Sequence, residues 1–163
     1  MAELTQLDSK LGEILGLSRA AQEVTDRVAK LVDDQEVRDV LDRMRSEAAE
    51  QEERCVAVAD ELEGKKGVIE EQAKETRSEA QEMMKVYLDE DSDALDGFEF
   101  LTMAEAGELG HMEIAETLNE KVGNQQIREL VEWARPIQER HVSDTRGCAL
   151  KLAGQKDPNE PAS

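Results

Sequence analysis

The sequence predicts an all-α bundle of long helices, and three observations carry that expectation. Glu, Ala, Leu, Val, Arg and Gln dominate the composition, and the only three prolines fall after residue 135, which suits helices and little else. Apolar residues recur three and four apart through long stretches, while the alternation of a strand is almost absent. Breakers gather at a few points rather than being spread along the chain. The 163 residues suit one domain, over 1–154, followed by a polar tail over 155–163. A charge of −19 with 2% aromatics is also the composition of disordered chains. The regularity of the stripes argues for a folded one.

The first helix is expected from Leu4 to Val32, with Leu4, Leu7, Leu11, Ile14, Ala21 and Val28 on one stripe, and Asp33 to Gln35 turn the chain. The second, Glu36 to Glu63, carries Val37, Leu41, Met44, Ala48, Cys55, Val58 and Leu62. Gly64 and Gly67 end that pattern as a cap and a turn would. Val68 to Glu90 is helical in composition but weakly amphipathic until Met83, Met84, Tyr87 and Leu88, and the acidic run after it offers N-capping residues. The fourth stretch, Ala94 to Val122, turns Phe98, Leu101, Met112, Ala115 and Val122 inward, and Gly123 and Asn124 stop it. The last, Gln125 to Ala153, uses Ile127, Leu130, Ala134, Ile137, Cys148 and Leu152.

Four helices of this length measure about 42 Å each, at about 1.5 Å per residue. Lys65 to Asp93, largely helical, is long enough to carry the chain back to its starting end. Hairpin, crossover, hairpin is the connectivity of ferritin-like bundles. That fold, with an additional helical crossover between the second and third core helices, is the architecture expected. An up-down bundle with one helix docked outside is its rival.

Polar residues interrupt the inward stripes at one level. Glu105 and Glu108 take stripe positions in the fourth stretch, His141 and Asp144 in the last, and Gln51 in the second, with Glu47 and Glu50 close by. Folding each hairpin at its turn brings these positions to mid-bundle. A buried, unpaired carboxylate costs several kcal/mol, so such residues need a cation or donors. Carboxylates and imidazoles from facing helices are what di-iron and di-manganese bundles use, and that donor set suits Fe or Mn. Glu108 and His111 also form a Glu-x-x-His pair on one helix face. The bland reading stands beside this one. Arg135 or Arg140 would neutralise the glutamates, His111 would be a flanking histidine, Glu47 and Glu50 would lie on a solvated flank, and Gln51 and Asp144 would complete hydrogen bonds. Pro136 inside the last helix removes a hydrogen bond, either tilting His141 or letting the helix wrap its partner. Cys55 and Cys148 sit too far apart in level to bridge and read as buried thiols.

An excess of 39 acidic over 20 basic residues argues against nucleic acid as a partner. No apolar run approaches the length of a membrane span, and no basic-then-apolar leader opens the chain. A cytoplasmic protein is expected, with a homodimer as a natural assembly and no small-molecule substrate legible.

Several segments resemble the bacterial stress-associated YciE/YciF family of ferritin-like proteins. Glu36-Val-Arg, then Glu47-Ala-Ala-Glu50-Gln-Glu-Glu-Arg54 and the Leu62-Glu-Gly64 stop, are similar to that family's second helix. Lys65-Lys-Gly-Val-Ile-Glu-Glu resembles its entry to the crossover, and Glu105-x-x-Glu108 with Ile114-Ala115 resembles its third core helix at shifted spacing. The resemblance implies a four-helix bundle, commonly dimeric, with a carboxylate-rich di-metal centre and redox or peroxide chemistry in stress protection. Its ligands would come from Glu47 or Glu50, Glu105, Glu108, and Glu139 or His141. Ser18 stands where the first-helix glutamate belongs, and the second-helix histidine is replaced around Gln51. The alternative is a non-enzymatic helical module whose buried polar layer fixes register.

Overall fold

Each helix but one starts where the sequence supplies an acceptor for its free N–H groups. The computed structural model describes residues 2–162; Met1 and Ser163, the last residue of the expected tail, lie outside the described residues. Helix α1 (Gln6–Ala29) opens on a reciprocal box in which the Thr5 hydroxyl accepts from the Asp8 N–H and the Asp8 carboxylate accepts from the Thr5 N–H. Helix α2 (Gln35–Glu61) is capped by Asp34. Helix α3 (Lys66–Tyr87) has no side-chain cap. Helix α4 (Ala94–Val122) repeats the box with Asp93 and Asp96, and α5 (Gln125–Ala153) starts on Asn124. Gly123 closes α4 in the left-handed conformation, at φ 74°, which a side chain would resist. The fold is an all-α bundle of five helices with no strand among the described residues. No described helix is long and apolar enough to cross a membrane.

Cross-helix pairs give the chain directions. Asp26 meets Arg45, and Gln22 meets Glu52, so α1 and α2 are antiparallel. Arg43 meets Asp144 and Lys151 meets Asp34, so α2 and α5 are antiparallel. Glu105 meets His141 and Glu116 meets Arg135, so α4 runs against α5. Val28 packs on Gly97 and Glu13 approaches His111, which sets α1 against α4. The four long helices therefore close a ring in the order α1, α2, α5, α4. Helix α3 runs parallel to α1 on its outer side, from Gly12 beside Ile69 to Arg27, which donates to the Leu88 and Asp89 carbonyls.

Two glycines make that outer contact close. A Cβ on Gly12 would lie 2.9 Å from the Ile69 carbonyl oxygen, and one on Gly16 would lie 2.5 Å from that of Ala73. Their spacing of four places both on the α1 face that receives α3.

The apolar core is in two pieces. At one end Leu11, Leu15, Cys55, Ile69, Met112 and Leu130 belong to one cluster; at the other Val28, Leu41, Met44, Phe98 and Leu101 belong to a second. Ser18, Gln51, Glu105, Glu108, Gln138 and His141, all buried, lie between them in sequence on their respective helices.

Several details differ from the sequence reading, beginning with Leu4, which is exposed ahead of α1. Val122 is exposed, at the end of α4 where the bundle has run out. In α5 the buried series after Ala134 is Gln138, His141, Thr145 and Cys148, not Ile137 and Asp144. Residues 155–162 do not simply fray: Lys156 pairs with Asp93 and holds its carboxyl below the usual range. Both thiols are free and buried.

Pro136 lies within α5 on an exposed position. It removes one hydrogen bond and crowds the Glu132 carbonyl. Pro136→Ala is expected to stabilise the protein by about 2 kcal/mol, after the entropy that proline removes from the unfolded chain is counted against it. A melting temperature unchanged or lowered in that variant would show that the proline carries no net cost in the folded helix.

Candidate functional site

Mid-bundle, α4 turns two carboxylates into the ring, one helical turn apart. Glu105 and Glu108 are 2% and 4% exposed. The other helices answer them with amides. Gln138 on α5 donates through Nε2 to Glu105 Oε2 at 2.6 Å and to the Glu105 backbone carbonyl at 3.0 Å. Gln51 on α2 donates to Glu108 Oε1 at 2.7 Å, across the ring. His141 Nδ1 lies 3.1 Å from Glu105 Oε2. Ser18, Thr25 and Thr145 take no part, since each hydroxyl donates to a carbonyl of its own helix.

Burial and the neighbouring Glu105 push the Glu108 carboxyl up to about 8, against the pull of the Gln51 hydrogen bond. A glutamic acid in that state keeps its proton at neutral pH, which relieves the cost of two carboxylates side by side. Burial likewise pushes the nearby Cys55 thiol well up, with the Glu108 charge adding to it, so it packs as a small apolar group.

The remaining sequence-predicted residues are not brought to one point. Glu47 reaches the edge of the layer, where Arg140 pairs with it and Arg43 lies 3.6 Å away. His141 Nε2 is 3.8 Å from Glu47 Oε2, beyond hydrogen-bonding distance, and neither Nε2 nor Glu47 Oε1 has a partner. Glu50 faces out and pairs with Arg54. Asp144 stands on the flank of α5 and pairs with Arg43 at 2.6 Å. His111, one-third exposed, lies 2.7 Å from Glu13 but out of hydrogen-bond alignment with it. Arg135 binds Glu113, Glu116 and Glu139 outside the ring. The counterparts of the core carboxylates are therefore glutamines and a histidine, not arginines.

Gln138 is the residue that sequence reasoning missed. A signal was present: Gln138 and His141 are spaced as a Glu-x-x-His pair would be, with an amide in place of the acid. Ile137 hid it by offering an apolar residue one position earlier.

A dinuclear carboxylate centre in a bundle of this kind takes a Glu from each of two helices and a Glu-x-x-His from each of the other two. Here α1 offers Ser18, α2 offers Ala48-x-x-Gln51 at the buried positions, and α5 offers Gln138-x-x-His141. The donor set does not fit such a centre. Among the described residues no three His, Cys, Asp or Glu side chains are grouped to hold a metal ion.

Beside the layer, between α1, α3 and α4, lies a cleft of about 310 Å³. Leu17, Ala20, Ala21, Ala80, Phe100 and Ala104 wall it, Met83 and Met103 stand half-exposed along it, and Glu105, Glu108 and His111 are its polar lining. Small side chains on α1 and α4 leave the gap, and α3 leans on α1 without closing it.

Comparison with protein-family models, with curated proteins and with solved structures returns no match for this chain.

Proposed function

We propose that this chain is a ferritin-like helical module that works without a metal centre, as a structural or interaction protein. In this reading the buried layer sets how the helices align, and the acidic outer faces meet partners or copies. The ferritin-like part of the reading is supported by the path of the chain: two antiparallel hairpins joined by a helical crossover, with α1 beside both α2 and α4. The metal-free part rests on one observation. Each core carboxylate is met by a glutamine amide from a facing helix, Gln51 on Glu108 and Gln138 on Glu105. An amide satisfies a carboxyl group by hydrogen bonding and holds it away from an ion. Such a network favours one alignment of the helices, because a slip of one turn would set carboxyls against the apolar clusters on either side.

Metal analysis tests the reading directly. Protein purified without chelator, then loaded anaerobically with Fe(II) or Mn(II) and desalted, is expected to retain substoichiometric metal and to melt at an unchanged temperature. Stoichiometric Fe or Mn, lost in His141→Ala and Glu105→Ala, would overturn it. Gln51→Leu is expected to cost about 2 kcal/mol through the donor it takes from Glu108; a neutral result would remove the register role.

A further inference from the structure

The cleft between α1, α3 and α4 is walled almost wholly by carbon, yet it reaches the two carboxyls of the buried layer. Glu108 Oε1 is held by Gln51, while its Oε2 has no hydrogen-bond partner among the described residues and the side chain lines the cleft. Glu105 at least has an imidazole beside it; Glu108 has only a neutral amide. The arginines of the surrounding helices are engaged elsewhere. Arg19 is held by Glu52 and Glu70, Arg43 by Asp144, Arg140 by Glu47, and Arg135 by three glutamates on the outer surface. A half-used carboxyl group, 4% exposed at the end of an apolar cleft, is complementary to one kind of small molecule: a single positive charge with N–H donors, carried on a hydrocarbon body. The charge of the whole chain, −19, raises the local concentration of any such cation and lowers that of an anion of the same shape.

We propose that this cleft binds a hydrophobic monoamine, its ammonium group on Glu108 and its alkyl or aryl body along Leu17, Ala21, Phe100 and Ala104. The proposal rests on the layer being metal-free, since an ion on Glu108 would occupy the same oxygen. Burying an ammonium costs several kcal/mol unless a carboxylate meets it, so the amine selects the ionised form of Glu108, and the proton that this carboxyl holds is released as the amine enters. The apolar walls favour the ligand's body, while the mouth between Met83 and Met103 lets it pass.

The test uses full-length protein dialysed against chelator, titrated with n-hexylamine, 1-hexanol and hexanoate by calorimetry and by NMR shifts of the α1 and α4 amides. Hexylamine is expected to bind about tenfold more tightly than hexanol, with hexanoate weakest, and to perturb residues around Ala21 and Ala104. Glu108→Gln is expected to bring the amine down to the affinity of the alcohol, while Glu160→Gln, which removes one exposed charge from the tail, leaves it unchanged. Gly107→Phe provides the second arm. Gly107 lines the cleft, and a Cβ there meets nothing within 4 Å, so a phenyl ring is accommodated without a clash at the helix and is expected to weaken binding of amine and alcohol alike. Equal affinities for amine and alcohol, full amine binding by Glu108→Gln, or binding undiminished by Gly107→Phe would each overturn the proposal. So would no detectable binding of hexylamine. Metal found in the untreated protein would overturn the metal-free reading, and that failure is distinguishable from failure of the amine site because the amine titration is read on metal-stripped protein.

Discussion

Glu108→Gln is expected to match the parent protein in stability near pH 4.5 and to exceed it by several kcal/mol above about pH 8, by urea unfolding across that range. Burial first, and Glu105 second, raise the Glu108 carboxyl from 4.5 to about 8 in the folded protein. The folded chain therefore keeps a proton that the unfolded chain gives up between those two values. Stability falls as pH rises through that window, by at most about 1.4 kcal/mol per unit for one proton. Below it both states are protonated and the penalty is absent; above it the penalty is fully developed. Glutamine keeps the shape and a hydrogen bond to Gln51 while having no proton to lose. Carboxyls such as Asp93, held low by Lys156, contribute with the opposite sign at acid pH, and they cancel in the difference between the two proteins. Parallel pH profiles would show that Glu108 is not the group that titrates.

The second large effect concerns Gly16. Alanine is the better helix former by about 1 kcal/mol, yet Gly16→Ala is expected to lower stability by about 2 kcal/mol net. The added Cβ would stand 2.5 Å from the Ala73 carbonyl oxygen and 2.8 Å from the Thr76 Cβ. The first of these is backbone, so relief requires α3 to move as a body. Gly147→Ala is the matched comparison. Nothing lies within 4 Å of its Cβ, and a gain of about 0.5 to 1 kcal/mol is expected. Thermal unfolding of the pair should give shifts of opposite sign. A stabilised Gly16→Ala would mean that α3 sits more loosely on α1 than the structure has it.

The sequence was most legible where local chemistry decides the outcome. The bounds of α4 and α5 follow from Asp93, Gly123 and Asn124, and the structure has both where the pattern put them. Four other ends fall short of the expectation because Leu4, Leu31, Leu62 and Leu88 continue the apolar pattern beyond the helical hydrogen bonds, while α2 and α3 begin one and two residues earlier than expected. Burial of Glu105, Glu108, His141 and Gln51 was readable from their places on the stripes. What answers them was not. Choosing between Ile137 and Gln138 requires the rotation of α5, and periodicity fixes that rotation only to within about one residue. Asp144 went with Ile137 for the same reason. The seating of α3 was hidden because Gly12 and Gly16 look like weak points within a helix until a second backbone is seen against them. The cleft was out of reach too, being made by small residues on helices far apart in the chain.

The division of the core into two clusters sets how the chain can be cut. Each cluster draws on both hairpins: Leu11, Leu15 and Cys55 meet Met112 and Leu130 at one end, and Val28, Leu41 and Met44 meet Phe98 and Leu101 at the other. A fragment of α1 and α2 alone would own half of each cluster and all of neither. Severing the chain in the crossover is therefore expected to leave neither hairpin with a complete core, and a cooperative unfolding transition in either isolated hairpin would count against this.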